Sequence, residues 1–281
     1  MPPIGVVDAH VHFWQPAELE YPWLADLPPL QRAFLPRDHA AACGAAPIEQ
    51  LVFVEGNCRA DQALVEVRFI EALAAEDRRI AGIVAFVDLT DARTAGRALD
   101  ALAGVPLVRG IRHNIQGHPR GFCLQPAFVA GVREVGRRGL SFDLCITHDQ
   151  LEDAIELARG CPDTRLVLDH CGKPPIAAGV LDPWRAHIET LASLDHVWCK
   201  LSGLLTEAGQ RRSDEELAPY ARHVAQSFGT GRLMYGSDWP VLTLAGTYDD
   251  WFGFTECFTA GWSAAESRAF YRDNATRCYR L

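Results

Sequence analysis

Eight short runs rich in β-branched and apolar residues, separated by segments with helical periodicity, constrain this chain more than any other feature of its sequence. They begin at Val6 (VVDAHVHF), Leu51 (LVFVEG), Ile80 (IAGIVAFVDL), Val108 (VRGIRHNI), Leu140 (LSFDLCITH), Arg165 (RLVLDHC), Val197 (VWCKLSG) and Arg232 (RLMYGSDWPV). Nearly continuous apolar runs suit strands of a parallel sheet that is covered on both faces. Strand then helix, repeated eight times, predicts an α/β fold of the (β/α)8 TIM-barrel type, as one domain over residues 1–281. No glycine-rich loop follows the first run, which removes the commonest dinucleotide-binding form of an open doubly wound sheet.

The intervening segments carry helix signals. Asp149, Ser213 and Ser263 each precede a glutamate by three positions, the spacing of an N-terminal capping box. In ALVEVRFIEALA, the stripe Leu64, Val67, Ile70 and Leu73 predicts the face that covers the sheet. The segment from Gln15 to Gln50, with Pro16, Pro22, Pro28, Pro29 and Pro36, is longer than an ordinary βα connection and predicts a proline-rich flap over one barrel mouth.

The formal charge of -9 offers no general attraction for nucleic acid or anionic membrane. No run approaches the roughly 18 apolar residues of a membrane span, and the opening MPPIGVV lacks the features of a signal peptide, so the expected location is cytoplasmic. Nine cysteines without a CxxC pair suggest neither a disulfide framework nor a cysteine zinc knuckle. Nothing in the sequence fixes an oligomeric state.

Polar residues collect where the runs end, and in a parallel barrel the C-terminal strand ends form the active-site face. Side chains at i and i+2 of a strand share a face, so Asp8, His10 and His12 are expected to project one way and Val7, Ala9 and Val11 the other. Two converging imidazoles suit a divalent metal or paired proton-transfer roles. His170 ends the sixth run and Asp238 the eighth, and strands one and eight become neighbours when a barrel closes. His10, His12, His170 and Asp238 are therefore candidate catalytic residues and candidate metal ligands, Asp238 as the group that activates water. Arg112, His113, His148, Lys173, Trp14 and Trp23 are candidate substrate contacts: guanidinium and ammonium for a carbonyl or carboxylate, aromatic faces for the C–H surface of a sugar. Glu55, Asn57, Asp88, Asp143 and Lys200 also fall at or near strand ends without an assigned role.

DAHVHFW, VDL, GIRHNIQ, LVLDHCGKPP, VWCKLSGL and MYGSDWPV, in that order, resemble the amidohydrolase superfamily, in its amidohydrolase-related group of sugar-lactone and aromatic-lactone hydrolases. Within it the chain is most similar to the lactonases that act on L-fucono- and L-rhamnono-lactones. The resemblance implies a (β/α)8 barrel, a small sugar lactone as substrate, and His10, His12, His170 and Asp238 around either one zinc or other divalent ion or no metal. The fourth run ends in Arg112, His113 and Asn114 and supplies no lysine or glutamate to bridge two metals, which argues against a binuclear centre. Two further readings stand beside the lactonase: a zinc-dependent decarboxylase of the same superfamily, and a non-catalytic carbohydrate-binding barrel.

Overall fold

A computed structural model describes residues 4–210 and 213–281. Eight parallel strands follow one another in sequence order around a single sheet: β1 (Val6–Val11), β2 (Ile48–Val54), β3 (Ile80–Phe86), β4 (Val108–Arg112), β5 (Ser141–Leu144), β6 (Arg165–Leu168), β7 (Val197–Leu201) and β8 (Leu233–Tyr235). A parallel bridge between Val11 and Trp239, with the His12 amide donating to the Trp239 carbonyl at 2.8 Å, brings the two ends of the sheet together. The helices between strands are α1 (Pro36–Ala42), α2 (Ala63–Glu76), α3 (Ala92–Leu102), α4 (Pro126–Arg137), α5 (Leu151–Gly160), α6 (Trp184–Ala192), α7 (Leu204–Glu207) and α8 (Asp214–Phe228). After β8 come α9 (Tyr248–Thr259), α10 (Ala264–Arg268) and α11 (Asn274–Tyr279). The architecture is the (β/α)8 barrel that the alternation predicts. Among the described residues, no helix is long and apolar enough to cross a membrane.

Local departures from the sequence reading have physical causes. Ser213 and Ser263 cap α8 and α10 with their partner glutamates, but α5 is entered through a 3-10 turn in which Thr147, not Asp149, forms the box with Gln150. On α2 the buried face is Glu66, Val67, Ile70 and Ala74, while Leu64 lies in solvent at 42% exposure. Val67 and Ile70 of the predicted stripe are buried and Leu73 packs partly buried on the core, and the buried face extends to Glu66, whose carboxylate accepts the Gly56 amide at 3.1 Å beyond the end of β2. In β1, Asp8 points outward, where the Tyr248 hydroxyl of α9 donates to it at 2.9 Å and His39 of α1 lies 3.7 Å away. Val7 and Ala9 instead join the inner cluster with Val52, Val54 and Val84. A bulge between Asp8 and Val11 then shifts the strand's phase and returns His10 to the barrel interior.

The segment after β1 contains two 3-10 turns (Pro22–Asp26 and Pro28–Leu30), tied back by an antiparallel bridge between Trp14 and Phe34. At the opposite end of the barrel, α11 contributes Ala275, Cys278 and Tyr279 to the same inner cluster as Val7 and Val167.

Glu66 yields a first test. Burial pushes its carboxyl up to about 8, with the neighbouring Glu55 charge adding to the effect. A carboxyl raised in the folded state binds its proton more tightly there than in the unfolded chain. The stability it contributes is complete below the ordinary value of 4.5 and is lost as pH rises through about 8. Glu66→Gln keeps a neutral acceptor for the Gly56 amide, so relative to the parent it gains about 2–4 kcal/mol of stability near pH 8 and nothing near pH 4. Denaturant unfolding at both pH values measures this, and an equal effect at both contradicts it.

Candidate active site

The strand ends gather the histidines and Asp238 at one mouth of the barrel. His12 Nε2 lies 3.1 Å from His10 Nε2 and 3.4 Å from Asp238 Oδ1. The same carboxylate oxygen is 3.7 Å from His10 Nε2 and 3.8 Å from His170 Nε2. Each imidazole is oriented through its other nitrogen. His12 Nδ1 is 2.7 Å from the Val54 carbonyl, a contact only a protonated Nδ1 can make, which leaves Nε2 bare. His170 Nδ1 meets the Ser202 hydroxyl at 2.9 Å, and His10 Nδ1 lies 3.2 Å from Asp169 Oδ1. With His12 Nδ1 donating to the Val54 carbonyl, its bare Nε2 faces His10 Nε2 at 3.1 Å and Asp238 Oδ1 at 3.4 Å, so three imidazole nitrogens and one carboxylate oxygen gather at one point. His10, His170 and Asp238 offer ligand atoms all within 4.8 Å of one another. The donor set and its outer partners fit a divalent ion.

Electrostatics support the same assignment. Burial drives His170 down to about 4 and His10 well below its ordinary value, so both rings are neutral near pH 7 with lone pairs available. Burial opposes ionisation of Asp238, but His170, His12 and His10 outweigh it and hold the carboxyl below the usual carboxylate range.

Beneath this cluster lies a buried charge network. Lys200 Nζ donates to Asp143 Oδ2 at 2.6 Å and lies 2.9 Å from Asp169 Oδ1 and 3.2 Å from His10 Nδ1. Asp143 also accepts the Tyr279 hydroxyl of α11 at 2.7 Å. Burial alone would depress the Lys200 pKa, yet Asp143 and Asp169 hold it above the ordinary lysine value. Arg112 donates from Nε to Glu55 Oε1 at 2.6 Å, from one terminal nitrogen to the Glu55 carbonyl at 2.7 Å and from the other to Asp169 Oδ2 at 3.2 Å. Glu55, Asp143 and Lys200 thus stand in the frame that orients His10.

The backbone at β6 is unusual. His170, Cys171, Gly172 and Lys173 all have positive φ, from 48° to 68°, and form a left-handed turn. Non-glycine residues pay roughly 1 kcal/mol or more each for this conformation, so the surroundings must impose it. The Lys173 amide donates to the His170 carbonyl at 2.8 Å, and the Trp184 indole donates to the Cys171 carbonyl at 2.8 Å. Gly203 leaves room for the turn, since a Cβ there would stand 2.7 Å from that of His170.

Above the cluster opens a pocket of about 200 Å³ whose walls include Trp23, Asn57, Asn114, Gln116, Cys145 and Lys173 beside His12, His170 and Asp238. Larger grooves of about 750 Å³ beside Ile4 and about 500 Å³ beside Trp262 contain no histidine. Of the candidate substrate contacts, the structure brings Trp23, Arg112 and Lys173 to the pocket wall. It does not bring Trp14, which is fully buried with its indole donating to the Leu30 and Arg32 carbonyls. Nor does it bring His113, whose ring packs against Phe122 and Phe128 while Nδ1 accepts the Leu89 amide at 3.1 Å. His148 sits behind Lys173, with Nδ1 3.2 Å from its carbonyl, and Asp88 lies among solvent-facing groups at 44% side-chain exposure. Asp169, Ser202, Asn114 and Gln116 escaped the sequence reading. For Asp169 the adjacent His170 was the available signal; Asn114 and Gln116 lie in GIRHNIQ and Ser202 in VWCKLSGL, where their positions within those motifs were the available signal.

Fold and site together define a (β/α)8 barrel enzyme with a His-His-His-Asp centre at the C-terminal strand ends. The chain belongs to the amidohydrolase family, whose model matches residues 7–281. It is 36% identical over 296 residues to an L-fucono-1,5-lactonase of Burkholderia multivorans, covering 98% of this chain and 96% of that protein. It is 32% identical over 281 residues to an L-fucono-1,5-lactonase of Burkholderia ambifaria, covering 98% and 95%. A crystal structure of an amidohydrolase from Burkholderia multivorans with bound zinc superposes with a TM-score of 0.89 at 34% identity, covering 99% of each chain.

Proposed function

We propose that this protein hydrolyses the cyclic ester of a small sugar lactone, such as L-fucono-lactone, to the open hydroxy acid. The observation that carries the reading is an ionised Asp238 packed against three oriented imidazoles at the floor of a pocket of about 200 Å³. Asp238 Oδ1 takes a proton from a water held among His10, His12 and His170, and the resulting hydroxide attacks the lactone carbonyl. Lys173, at the pocket wall, faces the charge that develops on the carbonyl oxygen. Collapse of the tetrahedral intermediate breaks the acyl–oxygen bond, and Asp238 returns its proton to the departing ring oxygen. Trp23 is placed to pack on the ring's C–H face, its indole fixed by donation to the Gly56 carbonyl at 2.8 Å.

Zinc is the ion that the imidazole-rich donor set and the zinc-bound relative support; His10, His170 and Asp238 would hold it, with His12 beside them. When bound it would supply Lewis-acid polarisation of water and carbonyl. A cytoplasmic setting is supported by the nine cysteines, all unpaired.

A panel of neutral aldono-lactones followed with a pH indicator tests the proposal. Acid release is expected with kcat/KM of at least about 10⁴ M⁻¹s⁻¹ on one member. Chelation is expected to lower it about tenfold or more, with recovery on adding zinc. Binding of lactones without acid release contradicts the proposal.

A further inference from the structure

The pocket's cations are matched by carboxylates. Arg112 has all three guanidinium nitrogens engaged by Glu55 and Asp169. Lys173, the other permanent cation of the wall, has Glu207 Oε1 at 3.9 Å from its ammonium, and both side chains are partly buried, at 19% and 29% exposure. Glu207 ends α7, the short helix that follows Gly203 where that glycine abuts His170. Apart from the His12, His170 and Asp238 floor and the Cys145 thiol, the rest of the polar side-chain wall is uncharged amide: Asn57, Asn114 and Gln116. Asn114 Oδ1 is buried without a hydrogen-bond partner among the described residues, an acceptor suited to a ligand hydroxyl.

The reaction proposed above changes the ligand's charge. A neutral lactone and water yield a carboxylate and a proton, so an unmatched lysine beside the scissile carbonyl would hold the product more tightly than the substrate. A pair at 3.9 Å is a loose one, close enough to cancel the field of Lys173 without fixing its ammonium.

We propose that Glu207 is a specificity-determining residue: by offsetting Lys173 it makes the pocket select neutral, hydroxylated lactones, disfavour anionic ones, and release the anionic product. This rests on the lactone-hydrolase reading. Glu207 touches neither water nor carbonyl and acts through Lys173.

Gluconate, a simple aldonate, is the probe. Calorimetric titration at low ionic strength compares the parent, Glu207→Gln, Lys173→Met and the double variant. Glu207→Gln is expected to bind gluconate about fivefold more tightly than the parent. The gain should vanish in the double variant and shrink in about 0.5 M salt. In turnover, the ratio of KM for a neutral lactone to the inhibition constant of its acid should rise by the same factor. Where parental binding is too weak to register, binding that emerges in Glu207→Gln alone is the expected result. Equal or weaker gluconate binding by Glu207→Gln, absence of binding in both, or a gain that persists without Lys173 overturns the inference. If the parent opens no neutral lactone, the function proposal fails on its own, and the titrations still decide the role of Glu207.

Discussion

Asp238→Asn is expected to lower kcat/KM on the lactone by about 10³-fold or more while leaving the barrel folded. The amide has the carboxylate's shape but cannot take a proton from water or return one to the leaving oxygen. It also offers a poorer ligand at the point where three Nε2 atoms converge. Folding should survive because asparagine accepts the positive φ of 62° found at this position. The backbone bonds that place the residue, from its amide to the His10 carbonyl at 2.9 Å and from the Leu242 amide to its own carbonyl at 2.9 Å, do not involve the side chain. Initial rates measured beside a thermal melt test this. A folded variant within tenfold of the parent would remove Asp238 from its assigned role.

Lys200→Met is expected to be the most destabilising single change in the barrel interior, costing about 3–5 kcal/mol. Its ammonium is fully buried between Asp143 and Asp169, and removing it leaves two carboxylates facing each other with no compensating cation at that point. Arg112 still reaches Asp169 from the other side at 3.2 Å, but nothing comparable reaches Asp143, whose remaining strong partner is the Tyr279 hydroxyl. The melting temperature should fall by about 10 °C. Lys200→Met combined with Asp143→Asn should recover part of that loss, because the uncompensated charge is removed with its partner. A single variant melting within about 2 °C of the parent would show that the network is not under this electrostatic constraint.

Much of the barrel is legible in the sequence because its determinants are local: apolar runs, helix caps, and polar residues at strand ends. His10, His12, His170 and Asp238 stand out for the same reason, since each ends a recognisable run. What escaped is what depends on packing between distant segments. Strict alternation along β1 places Asp8 with the histidines, and only the bulge before Val11 explains why Asp8 faces Tyr248 instead. Glu66 lies off the predicted Leu64, Val67, Ile70 and Leu73 stripe, and nothing in its spacing points to the Gly56 amide that it meets. Lys200 and His10 are 190 positions apart, and Arg112 and Glu55 are 57 apart, so neither pair has a spacing to recognise. His113 and Trp14 carried plausible chemistry at plausible positions. Their neighbours show the side chains turned into packing, which residue type alone cannot reveal.

In the proposed reaction a water activated by Asp238 attacks the carbonyl carbon of a cyclic ester beside His10, His12 and His170. Ring opening of an accepted lactone in isotopically labelled water, followed by mass spectrometry of the product, tests it most directly. One labelled oxygen is expected, located in the carboxylate, with formation of that product lost in Asp238→Asn. Label in the newly formed hydroxyl group, or an Asp238→Asn variant that forms the labelled acid at the parental rate, would contradict it.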